Sequence, residues 1–584
     1  MMGEDKPAAV SSLDLKRGSN GVGGSSLSTD ISDVGNAPMT PGDVEKNGSI
    51  TMDASMKASN LTSKDMSELD ATQEEKVKFD FKEFVKYTGP GWLAVVAYID
   101  PGNLYADLTA GSAYAYSQLW VVFWATVVSW LALTICSKYG IYSRQHLARS
   151  FRESYPKWVN ISMWVFIEIV VIATDVPEVI GFAYACNIFF GWPFYAGVLA
   201  SFVTTMLFLM VLNLKRGFRV LEALVLLLVG IMCILLLVEL FINGANVKQL
   251  FFGWAVPTVW SGSVFNMIGI IGAVVMPHNL FLLTGAVQTR IPRGRTETGK
   301  VFLYSKLEPI IPLCISWIVN LSVISLAAKN VFPETCPSGE TSDPTGQCAA
   351  GPVINDPVLD PDSVTLLNFC QYFSSGNAGG CTIWGLALIA AAQASAMTTT
   401  FTGSFVMDGF IDMKIPVWTR SIATRCVAIL PAVIIAAVVD TPESLDFVIG
   451  IVNVVLGLAL PIALIPLIQL SFNQAKMGKY RISRILYWVS MAFNIFLVFF
   501  NAASFYTDSV FGQYMGADQA SSNFVWAVQA NILADVVTVV YITINFYFVF
   551  KQPTITTCAP LAEEDYKTEA DTEPIDLGAI GAMT

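Results

Sequence analysis

Two short stretches of this chain carry the residues best suited to chemistry. Asp100-Pro101-Gly102-Asn103 offers a carboxylate and a carboxamide. Met276-Pro277-His278 offers a thioether and an imidazole, and His278 is one of only two histidines in 584 residues. Each stretch holds a proline, which removes a backbone donor and clashes with the preceding turn, and Gly102 loosens the first one further. Carbonyls freed by such a break can join side chains as cation ligands. The donor types narrow the cation. Carboxylate and amide oxygens are hard, whereas a thioether is soft and does little for magnesium or calcium. A mixed set without thiolates or a histidine cluster suits a labile site for manganese or iron. Structural zinc would show Cys and His at fixed spacing. Taken singly, each feature has a bland reading as a helix kink, a turn or a core methionine. Together, at matching places in two apolar segments, they point to a cation site.

The elements that must position these residues are membrane helices. Apolar residues make up 54% of the chain and charged ones 14%, against about a quarter in soluble domains. Apolar runs near 88–111, 118–138, 158–185, 193–214, 220–243, 262–289, 302–328, 381–409, 421–439, 445–472, 483–506 and 523–550 are each about long enough to cross a bilayer. The expectation is an all-α polytopic protein of about 12 transmembrane helices, broken in the first and the sixth. Paired breaks five spans apart are a mark of inverted-repeat transporters. An ionised Asp100 inside a span costs about 2.5–3.5 kcal/mol, which a bound cation repays and packing does not.

Charge sets the direction. Lys138, Arg144, Arg149, Arg152 and Lys157 lie between spans 2 and 3; Lys215, Arg216 and Arg219 follow span 4; Lys476, Lys479, Arg481 and Arg484 follow span 10. Basic loops face the cytoplasm, so both termini are expected there. Residues 1–80 read as a disordered cytoplasmic tail, 81–552 as the transmembrane domain and 553–584 as a second cytoplasmic tail. No cleavable signal peptide is visible. The net charge of −12 owes much to tail acids such as Glu563, Glu564 and Asp565. With no basic domain, nucleic acid is excluded as a partner. No nucleotide loop, nucleophile elbow or zinc-protease motif marks an enzyme, and no cofactor is expected. The external loop, about 329–380, holds Cys336, Cys348 and Cys370, with Cys381 at its edge. Two disulfides are expected, and all three pairings stay open.

On these residues the chain resembles the Nramp (natural resistance-associated macrophage protein) family of proton-coupled divalent-metal transporters. The match runs over roughly 85–550. Asp-Pro-Gly-Asn at 100–103 and Met-Pro-His at 276–278 look like its two hallmark motifs. Ile-Ala-Thr-Asp-Val-Pro-Glu-Val-Ile-Gly at 172–181 looks like its third-helix motif, and Thr399-Thr400-Phe401-Thr402-Gly403 running into Val406-Met407-Asp408-Gly409-Phe410 looks like its eighth-helix signature. The resemblance implies a LeuT-like fold, with spans 1–5 and 6–10 as inverted repeats plus two further helices. It implies proton-coupled symport of Mn²⁺ or Fe²⁺ toward the cytoplasm across a plasma membrane or an acidic endomembrane such as a vacuole. Asp100, Asn103 and Met276 would be side-chain ligands, Ala97 and Ala273 would offer carbonyls, and Asn453 would stand near the metal.

Protons would use Asp100, His278 and the third-span acids Glu168, Asp175 and Glu178. These three fall at i, i+7 and i+10, nearly on one helical face. The competing reading is that they form structural ion pairs with Arg420 or Arg425. Two departures from the family bear on the proton route. Leu283 stands where a second histidine is frequent, and Ala392-Gln393-Ala394-Ser395-Ala396 replaces the usual Gly-Gln-Ser-Ser-Thr. Met276 argues against the branches that move magnesium or aluminium. Two rival functions remain: a sodium-coupled amino-acid transporter on the same fold, and a metal-sensing receptor or passive channel. Oligomeric state has no signal in the sequence.

Overall fold

A computed structural model describes residues 79–210, 217–260, 262–290, 295–332, 364–373, 377–412, 417–438, 441–507 and 524–554. The tails expected at 1–80 and 553–584 lie almost wholly outside them, as do Cys336 and Cys348. The described part is nearly all helix. In chain order the helices are α1 (Phe81–Tyr87), α2 (Pro90–Val96), α3 (Pro101–Tyr114), α4 (Leu119–Ser143), α5 (Leu147–Ser154), α6 (Lys157–Phe190), α7 (Phe194–Met210), α8 (Gly217–Asn243) and α9 (Val247–Ala255). Then follow α10 (Val264–Val274), α11 (Pro277–Ala286), α12 (Arg295–Leu307), α13 (Ile310–Asn330), α14 (Asn377–Ile411), α15 (Val417–Val438), α16 (Pro442–Phe472), α17 (Gln474–Met477), α18 (Arg484–Thr507) and α19 (Phe524–Phe550).

Among the described residues, seven helical segments are long and apolar enough to cross a membrane. Four shorter apolar helices, Pro90–Ile99, Phe194–Leu207, Arg425–Val438 and Asp535–Phe550, fall on other expected spans. The remaining span is α6, which at 34 residues is long enough but carries Glu168, Asp175 and Glu178. Apolar side chains face outward all round: Phe241, Ile485 and Phe550 expose 83%, 79% and 77% of their surface. Water would penalise such a surface, and hydrocarbon does not.

Both expected breaks are present. The first span splits into α2, a 3₁₀ turn at Ala97–Ile99, an extended Asp100 (φ −74°, ψ 170°) and α3. The second splits at Val275 and Met276 (φ −66°, ψ 123°) between α10 and α11. Each downstream half opens with proline at its first position, where the missing N–H costs nothing.

Glycines bring the breaks against their supports. A Cβ on Gly181 of α6 would stand 2.4 Å from the Pro101 ring, and one on Gly272 of α10 would stand 2.2 Å from the Asn453 carbonyl and 2.3 Å from the Gly457 nitrogen of α16. Backbone therefore meets backbone between α10 and α16, as small residues allow in membrane helix pairs. Of the loop cysteines, Cys370 is bonded to Cys381.

Candidate metal centre and proton-linked residues

The first break is also a helix cap. Asp100 is the N-cap of α3, and its Oδ1 accepts the Asn103 backbone N–H at 2.7 Å. That is the ordinary use of aspartate before a helix. The location is what departs from the ordinary, since Asp100 and Asn103 are each 2% exposed inside the bundle. Asn103 then gathers oxygens. Its Nδ2 donates to Asp100 Oδ1 at 2.9 Å, to the Ala273 carbonyl at 3.1 Å and to the Ala97 carbonyl at 3.4 Å. Three acceptor oxygens, drawn from two separate breaks, converge on one electropositive group. A cation in its place would meet a carboxylate and two carbonyls.

The structure thus brings together Asp100, Asn103, Ala97 and Ala273. Asn453 joins from α16 by donating to the Gly102 carbonyl at 2.8 Å. A Cβ on Gly102 would lie 2.8 Å from the Asn453 Oδ1 and 3.3 Å from both Asp100 carboxylate oxygens, so only glycine fits between them. Met276 is the N-cap of α11, three residues beyond Ala273, and is 1% exposed. It offers the α11 amides no side-chain cap. Among the described residues no group of three or more His, Cys, Asp or Glu side chains is placed to hold a metal. The cation-binding potential therefore rests on the mixed oxygen and thioether set.

His278 follows at once, fully buried, and neither ring nitrogen has a hydrogen-bond partner within the described residues. A buried imidazole without a partner is costly and calls for a functional reason. The acids of α6 divide. Arg425 of α15, 1% exposed, pairs with Asp175 Oδ1 at 2.9 Å and with Glu178 Oε2 at 3.5 Å. Glu178 Oε1 also accepts the hydroxyls of Ser395, at 2.6 Å, and of Thr399. Arg425 donates further to Thr400 Oγ1 at 3.0 Å and to the Ala396 carbonyl. Glu168 lies two turns earlier on α6 and is only partly buried. The ion-pair reading therefore describes Asp175 and Glu178 well, through Arg425, and Arg420 lies outside the residues whose side chains are described.

Two residues at the site escaped sequence reading. Asn279 donates to the Ala94 carbonyl at 3.1 Å and so ties α11 to α2. Its signal was present, because Asp-Pro-Gly-Asn and Met-Pro-His-Asn share cap, proline and asparagine at the same offsets. Asp107, 2% exposed, repeats the Asp100 face at i+7 and accepts from the Asn320 amide at 3.2 Å once that amide is oriented to satisfy the Ser316 carbonyl. The second histidine, His146, lies elsewhere: it caps α5 by accepting the Arg149 N–H, and its Nε2 lies 3.8 Å from Asp408.

Comparison with known proteins shows the family. The family model for natural resistance-associated macrophage protein-like (Nramp) chains matches residues 91–350 and 373–507. The Populus trichocarpa metal transporter Nramp3.2 is 34% identical over 421 residues, covering 70% of this chain and 78% of its own. A Dictyostelium discoideum metal transporter, an nramp1 homolog, is 35% identical over 431 residues, covering 72% and 75%. A solved Eremococcus coleocola manganese transporter superposes with a TM-score of 0.68 at 25% identity, over 81% of this chain and 96% of its own. Its likeness agrees with the LeuT-like, all-α architecture. By profile, by relatives and by fold, this chain belongs to the Nramp family of membrane metal transporters.

Proposed function

We propose that this protein carries a divalent transition-metal ion, Mn²⁺ or Fe²⁺, toward the cytoplasm together with protons, by alternating access around the two breaks. The observation that carries this reading is the convergence of Asp100, Ala97 and Ala273 oxygens on the Asn103 amide. Rotating that amide presents its oxygen instead, completing an oxygen set to which Met276 adds a soft donor. Asp100 then works in two ways: ionised, it holds the metal; without metal, it can take a proton. His278 stands next to the metal-facing methionine and can exchange that proton. Asp175, Glu178 and Arg425 supply a second store, since two carboxyls against one guanidinium leave room for one proton without net charge. Glu168 would pass it along α6. The basic loops support a cytoplasmic placement of both tails, and an acidic outer compartment would drive the cycle.

Uptake by proteoliposomes tests the reading. Mn²⁺ should accumulate faster when the outside is more acidic, and Zn²⁺, Ca²⁺ and Mg²⁺ should compete in falling order of softness. Flux that ignores the pH gradient would replace the symporter with a channel. Sodium-driven amino-acid uptake without Mn²⁺ uptake would overturn the metal reading outright.

A further inference from the structure

α2 is only seven residues long, too short to hold a helical shape without support. Yet its carboxyl end delivers the Ala97 carbonyl to the metal centre. Its amino end is held by one side chain. Glu308, 2% exposed between α12 and α13, places Oε1 where it accepts the backbone N–H groups of Gly89, Gly91 (3.0 Å) and Trp92 (3.4 Å). Pro90 has no N–H, so these are all the backbone donors the chain owns from 89 to 92. The fit is close: a Cβ on Gly91 would lie 2.9 Å from the Glu308 Cδ. α12 is itself fixed, because the Trp130 indole of α4 donates to the Lys306 carbonyl at 3.2 Å. The same face of α12 holds the preceding helix, where Tyr304 stacks on Tyr87 at 5.7 Å and Lys300 pairs with Glu83 at 3.3 Å.

We propose that Glu308 is a positioning residue. Its carboxylate clamps the N-terminal half of the first broken helix in the place that seals the metal centre from the cytoplasm, and release of the clamp frees that half to swing. This rests on the transport reading above for its direction, though not for the clamp itself. α12 follows α11 in the chain, so the clamp also joins the two broken helices at their cytoplasmic ends. The contact is charge-assisted and local, which lets a single event make or break it.

Thiol accessibility tests this. Val95→Cys places a reporter at a position now 1% exposed on α2, in a background with Cys233, Cys314, Cys426 and the tail Cys558 changed to serine. Buried Cys136 of α4 serves as a folding control. Glu308→Ala should raise modification of the reporter from the cytoplasmic side about tenfold, the scale of one charge-assisted contact. Glu308→Gln, which keeps an acceptor oxygen, should raise it less. An unchanged rate in Glu308→Ala with Cys136 still protected overturns the clamp. If Glu308→Ala exposes Cys136 as well, Gly91→Ala decides: it pushes the carboxylate away from the opposite side, and an unchanged rate there overturns the proposal. Mn²⁺ uptake in the same vesicles keeps the two readings apart. If wild type and Asp100→Ala transport alike, the metal reading fails, while the thiol rates still judge Glu308.

Discussion

The two breaks follow one plan with one substitution. Each reads cap, proline, a variable residue, asparagine: Asp100-Pro101-Gly102-Asn103 and Met276-Pro277-His278-Asn279. In each, the asparagine reaches across to a carbonyl of the other broken helix, Asn103 to Ala273 and Asn279 to Ala94. The caps differ. Asp100 satisfies its own helix with a carboxylate oxygen, whereas Met276 leaves the α11 amides without a side-chain acceptor. The variable residues differ too, glycine admitting Asn453 and histidine bringing a titratable ring. Helix-breaking grammar is therefore shared, and the chemistry lies in the two positions where the breaks disagree.

Breaking the comparison at its charged cap should have the largest effect. Asp100→Ala should abolish Mn²⁺ uptake while the protein still reaches the membrane; residual uptake near wild type would remove Asp100 from the site. Met276→Ala should let Ca²⁺ or Mg²⁺ compete with Mn²⁺ on the order of tenfold better, about 1.4 kcal/mol of lost discrimination; unchanged competition curves would refute the sulfur argument. Asn279→Ala leaves the buried Ala94 carbonyl unsatisfied, and unfolding should become easier by about 1–3 kcal/mol, read by thermal denaturation in detergent. His278→Ala should flatten the pH dependence of uptake and leave Mn²⁺ affinity nearly intact; a collapse of affinity would put the ring closer to the metal.

The other histidine makes the control, with no effect expected on transport. Burial pulls His146 down to about 4, against the upward pull of Asp408. Its folded value lies below its unfolded one, so its contribution to stability is full above about 6.5 and drains away as pH falls toward 4. Wild type should lose at most about 2 kcal/mol more than His146→Gln between pH 7 and 5, with metal selectivity unmoved.

Much of this was legible in the sequence for physical reasons. Proline inside an apolar run announces a break, and hydrophobic length announces a span. The candidate ligand set followed from residue types and family motifs, and the structure brings Asp100, Asn103, Ala97, Ala273 and Asn453 close together. What could not be read is partnership across the bundle. Nothing local says that Arg425, rather than Arg420, would lie between Asp175 and Glu178, or that Glu308 would find the amides of Gly89 and Gly91 more than two hundred residues away. The third-span acids also share one helical stripe in sequence, yet Glu168 is less buried than the pair that meets Arg425.

The glycine seam between α10 and α16 has a mechanical meaning. With Gly272 against the backbone of Asn453 and Gly457, the two helices meet with no side chain between them at that point. Ala273 and Asn453 are thus carried on two helices in close backbone contact. Asp100 and Ala97 belong to the other broken helix, whose N-terminal half meets side chains rather than backbone at Gly91 among the described residues. On the proposed reading, the two halves of the cage are a fixed jaw and a movable one.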